Sequence, residues 1–95
     1  MVIYYSIDFI EQLERIVSFI AKDSQTRADE FSSTLRQKIE SIPEMPYRFR
    51  QNQTLQDENV RDLIYKGYVV VFAIKQECIE VLGIFKHNIW EKDSI

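Results

Sequence analysis

The sequence predicts an α+β domain in which an antiparallel helical hairpin packs on a small, mainly antiparallel β-sheet. Three observations carry that expectation. The run Tyr68-Val69-Val70-Val71-Phe72-Ala73-Ile74 lacks the apolar/polar alternation of a half-exposed strand, so it reads as a central strand covered on both faces. Lys66-Gly67 precedes it, and a two-residue hairpin connection needs positive φ, which glycine adopts without steric penalty. Earlier in the chain, two segments with apolar residues at helical spacing are joined so closely that they must fold back on each other.

Taken in order, Val2-Ile3-Tyr4-Tyr5 is β-branched and aromatic and reads as an N-terminal strand. Ser6 or Asp8 can cap the helix that follows, because either side chain accepts from the unpaired amides of a first turn. Phe9, Leu13, Ile16, Val17 and Ile20 form one apolar face, so the first helix is expected from about Asp8 to Lys22. Asp23-Ser24 supplies a second capping signal. Ala28, Phe31, Leu35, Ile39 and Ile42 make the second stripe, opposite a mostly charged face. Pro43 stops that helix, since its ring disfavours helical geometry at Ile42.

From Pro43 to Asn59 the periodicity is lost, and a long irregular connection is expected. Three strands then follow, covering Val60 to Tyr65, Tyr68 to Ile74 and Cys78 to Phe85. Gly83 has no neighbouring glycines to form a phosphate loop; it marks a bulge or a close approach of another backbone. The tail after Trp90 is short and polar.

Composition narrows the function classes. With 95 residues the chain is one domain, and 45% hydrophobic with 28% charged residues is ordinary for a globular protein. A formal net charge of -3 argues against a domain whose main work is gripping phosphate backbone. One cysteine, Cys78, permits no internal disulfide and fits a reducing cytoplasm; no apolar run approaches a membrane span. One histidine and one cysteine without ligand spacing imply no metal, and nothing implies a cofactor.

The element order, together with Val60-Arg61-Asp62-Leu63-Ile64-Tyr65-Lys66-Gly67-Tyr68-Val69-Val70-Val71-Phe72 and Ile79-Glu80-Val81-Leu82-Gly83-Ile84-Phe85-Lys86-His87, resembles the RelE/ParE superfamily of bacterial type II toxins. The resemblance covers nearly the whole chain and is closer to the ParE-like members. It implies a small cytoplasmic toxin held in a hetero-oligomer by a cognate antitoxin that lays an extended or helical segment over its surface. ParE-like members poison DNA gyrase, whereas RelE-like members cut mRNA on the ribosome. In the RelE pattern an arginine follows the Gly-Tyr of the central hairpin; here Val69 stands there. The two-lysine pattern of the preceding strand is reduced to Arg61, with Leu63 at the other place.

The nuclease alternative therefore rests on few residues. Cleavage through a 2′-hydroxyl needs an acid and a base, plus cations for the crowded phosphorane. His87 would supply the imidazole, Arg61 and Lys86 the charge with Arg50 in reserve, and Trp90 or Tyr65 a stacking face. The blander expectation for Arg61 is an ion pair with Asp62 or Glu80. A third alternative is a non-toxic binding module with the same fold.

Aromatic residues make up 13% of the chain, more than two helices and a small sheet need for a core. Tyr47, Phe49, Arg50, Phe85 and Trp90 are accordingly expected to form a partner-binding surface, because exposed aromatics on a small protein usually mark one.

Overall fold

The structure, a computed structural model, describes residues 1–86. Along the chain run β1 (Val2–Tyr5), α1 (Ile7–Asp23), α2 (Gln25–Glu40), β2 (Arg50–Gln51), β3 (Val60–Tyr65), β4 (Tyr68–Ile74) and β5 (Cys78–Lys86). One five-stranded sheet has the order β1-β5-β4-β3-β2. Only the β1–β5 pair is parallel. The helical hairpin crosses from the edge strand β1 and lies on one face of this sheet.

Both helices start where a serine can cap them. Ser6 rather than Asp8 caps α1: its hydroxyl oxygen accepts from the Phe9 amide at 3.0 Å and its hydroxyl donates to the Leu82 carbonyl at 2.8 Å. Its own amide donates to the Val81 carbonyl, so this one residue joins the end of β1, the middle of β5 and the first turn of α1. Ser24 ends α1 and caps α2, accepting from Arg27, which leaves no room for a loop. No described helix is long and apolar enough to cross a membrane.

The apolar stripes meet the sheet as their spacing requires. Phe9, Phe31, Leu35 and Ile39 pack with Leu63, Val70, Phe72, Ile79, Val81 and Ile84 in the main core. On the opposite face, Val60, Val69 and Val71 form a second cluster flanked by Ala73 and Leu82. Hence β4, in the middle of the sheet, buries side chains on both faces. Lys66 at φ 48° and Gly67 at φ 81° close the two-residue hairpin between Tyr65 and Tyr68.

Gly83 lies at a bulge. Val71 faces Gly83 while Phe72 faces Val81, so Leu82 has no partner on β4. A Cβ at Gly83 would come within 3.0 Å of the Phe85 ring and 3.1 Å of Gln12 Oε1, so the close approach is by side chains, not by another backbone.

The segment from Pro43 to Asn59 differs from the expectation of an irregular connection. Two 3₁₀ turns, Ile42–Glu44 and Pro46–Arg48, lead into β2, which pairs Arg50 with Asp62 and Gln51 with Arg61. A two-residue edge strand of arginine and glutamine carries no alternation to read. What creates it is a long-range polar contact described next.

Candidate partner-binding site

At the β2–β3 edge a buried carboxylate organises the chain. Asp62 is 5% exposed and takes Arg50 Nε on Oδ2 at 3.1 Å and Asn52 Nδ2 on Oδ1 at 2.9 Å. Asn52 in turn accepts the Leu55 amide on Oδ1 at 2.8 Å and donates its backbone amide to the Val60 carbonyl. These bonds hold the polar Gln/Asn-rich run against the sheet. The Arg50 side chain is half exposed, so its ion pair is screened; the Asn52 bond is the buried one.

Arg61 performs a different task from the one expected. Neither Asp62 nor Glu80 is its partner: Asp62 belongs to Arg50 and Asn52, and Glu80 pairs with Lys75 at 2.7 Å. Arg61 instead donates to the carbonyls of Glu58 at 2.8 Å, Phe49 at 2.9 Å and Tyr47 at 3.3 Å, and its guanidinium lies 5.0 Å from the Tyr47 ring centre. The physical reason is local. The 3₁₀ turn at Pro46–Arg48 leaves carbonyls without helical partners, and a guanidinium has enough donors to serve several. The Tyr47 hydroxyl donates to Asn59 Oδ1 at 2.5 Å, which closes the cluster.

Tyr47, Phe49 and Arg50 are thus brought together, with different exposures. Tyr47 is exposed, whereas Phe49 turns inward and stacks edge-on against Phe72 at 5.5 Å, so it is partly a core residue. Phe85 is 51% exposed and lies on β5 opposite Val69, on the far side of β4 from that cluster. His87 and Trp90 lie outside the described residues.

The cations of the nuclease reading do not converge. Arg61 faces Phe72 and Lys86 faces Tyr68, four residues apart along β4 and on its opposite sides. Standard strand rise and spacing put their backbones about 16 Å apart. Val69 sits in the apolar cluster on the face away from the helices.

Two features were missed from sequence. Asn52 reads as part of an ordinary polar stretch and Asp62 as a partner for Arg61; nothing in one sequence pairs the two. Phe19, 64% exposed, forms an apolar groove with Ile16, Tyr68 and Phe85. Here a signal existed, since Phe19 falls off the apolar stripe of its helix. Two titrating groups are displaced elsewhere. Burial, then the Glu40 carboxylate, pushes the Tyr5 phenol above its usual value against the pull of Arg36, and the hydrogen bond to Glu80 raises Lys75. Among the described residues no group of histidine, cysteine and carboxylate side chains is placed to hold a metal ion.

Comparison with known proteins agrees with this architecture. A solved structure of the chromosomal ParDE TA system from P. aeruginosa superposes with a TM-score of 0.72 at 13% identity, covering 90% of this chain and 95% of that one. At that identity the likeness concerns the fold. Among curated proteins nothing matches. The model of the ParE toxin of type II toxin-antitoxin systems, parDE, matches residues 3–89. The chain therefore belongs to the ParE toxin family.

Proposed function

We propose that the chain acts in the cytoplasm as a ParE-like toxin that binds DNA gyrase, traps its DNA-cleaved state without itself cutting nucleic acid, and is neutralised by a cognate antitoxin. The family match across residues 3–89 carries this reading. The geometry supports it over the nuclease alternative. Arg61 spends its donors on backbone carbonyls, and Val69 is packed among valines where a nuclease relative places its arginine. An arginine in that cluster would need a partner or access to water.

Expression from a tightly controlled promoter tests the proposal. Accumulating DNA breaks with translation intact, unchanged by His87→Ala, is the expected outcome. Translation arrest abolished by His87→Ala would overturn it in favour of a ribosome-dependent mRNA endonuclease. No growth effect from a folded chain would favour a binding module without toxicity.

A further inference from the structure

We infer that the free end of β3 accepts an added strand from an alternating acidic and apolar segment of the neutralising partner, an inference that rests on the toxin reading above. The backbone supplies the first observation. β2 ends at Arg50 opposite Asp62, so among the described residues β3 beyond Asp62 has no strand neighbour on that side. Asn52 donates to the Val60 carbonyl, which places Val60, Asp62 and Ile64 as the residues whose backbone groups point outward. Val60 and Asp62 face β2; Ile64 offers its amide and carbonyl to a further chain.

The side chains define what that chain must be. A groove along this edge is lined by Lys38, Arg48, Arg50 and Leu63, and Lys66 sits beyond it in the hairpin turn. Lys38 and Lys66 both lie over the Tyr65 ring, at 5.5 and 5.7 Å, and Arg48 over Phe49 at 4.7 Å. None of the three makes an ion pair with a described residue, and the carboxylate within the groove, Asp62, is already engaged by Arg50 and Asn52. A cationic strip is thus left without counter-charge from the described residues, in a chain of 15 acidic and 12 basic residues. Ile64, 50% exposed and apolar, lines the same groove from the face of β3 that it shares with Asp62, turned away from Leu63 and the helices. Side chains of an added strand alternate between the faces, so acidic residues would meet Lys38 and Arg48 while apolar ones cover Ile64.

Peptide fits this edge better than nucleic acid. Phosphate takes donors alone, whereas the edge presents a donor, an acceptor and an isoleucine side chain. The corresponding end of β5 is less available, since Gln12 Oε1 already accepts the Ile84 amide there at 2.9 Å.

Two arms test the inference. In the first, the chain is purified with the product of the adjacent gene, and its affinity is compared for wild type, Lys38→Glu/Arg48→Glu and Ile64→Pro, each checked for fold by circular dichroism. At least tenfold weaker binding of both variants, with a shallower salt dependence for the charge reversal, is expected. A wild-type complex that both folded variants leave unchanged overturns the inference and spares the toxin reading. Absence of any wild-type complex removes the antitoxin as occupant along with that reading. The second arm then decides the edge chemistry by itself: a soluble peptide of alternating glutamate and valine should shift and protect the Ile64 amide of the isotopically labelled chain, and its lysine counterpart should not. An undisturbed Ile64 amide, or equal perturbation by both peptides or by a single-stranded oligonucleotide, counts against it.

Discussion

Replacing Asp62 by alanine removes the group on which the β2 edge is built, and the cost can be worked from its partners. Asn52 Nδ2 belongs to a residue only 9% exposed, and without Asp62 Oδ1 it is left buried with no acceptor among the described contacts. An orphaned buried donor costs about 1–3 kcal/mol. The Arg50 side chain is 48% exposed and rehydrates, so losing its ion pair adds only about 0.5 kcal/mol. A total of about 1.5–3.5 kcal/mol follows, and for a domain of this size each kcal/mol lowers Tm by roughly 4–8 °C. Urea unfolding followed by circular dichroism, with the m-value held as a check on the denatured state, measures it. Asp62→Asn keeps an acceptor for Asn52 and should cost less than half as much. A loss below about 0.5 kcal/mol for alanine would refute the reasoning. So would equal losses for the two variants, because the charge and not the buried acceptor would then be responsible.

Other perturbations have equally direct outcomes. Ser6→Ala removes a cap and a bond to the bulge carbonyl, and should cost about 1–2 kcal/mol in the same unfolding assay. Gly67→Ala meets no atom within 4 Å, so its cost of about 1 kcal/mol should come from the φ of 81° alone and appear without any change in the core. Phe72→Ala opens a cavity beneath Phe49 and the helices, with an expected loss of about 3–5 kcal/mol. For Tyr5 the folded chain holds its proton more tightly than a free phenol does, so the associated stability is present below the usual phenol range and declines as pH rises through the folded value. Comparing unfolding of wild type and Tyr5→Phe from pH 8 to 11 should show a shallower alkaline decline in the variant.

The legible parts of this fold were those with a period or a steric demand. Phe31, Leu35 and Ile39 announce a helix face by spacing, and Lys66-Gly67 announces a hairpin because few residues adopt positive φ. The choice between Ser6 and Asp8 as cap stayed open, since both chemistries work and the bond to Leu82, 76 residues away, decides it. The same distance in sequence hid the candidate site. Arg61, Asp62 and Arg50 are all visible as charges, but nothing in their spacing says that Asp62 takes Arg50 and that Arg61 turns to the carbonyls of a 3₁₀ turn. Phe49 looked like a surface aromatic because its contact with Phe72 depends on that same turn.

The pairing of β1 with β5 has a consequence for when this protein comes into being. Val2–Tyr5 lies alongside residues 78–81, so β1 gains its parallel neighbour only after the whole stretch between them has been made. Ser6 can accept from Phe9 locally, but its bonds to Val81 and Leu82 wait for β5. Contacts of such long sequence separation are closed late and at an entropic cost. A nascent chain therefore carries a helical hairpin without its completed platform, and the assembled surface appears only once β5 has been made. In this member of the ParE toxin family, the topology thus withholds the assembled surface until β5 is in place.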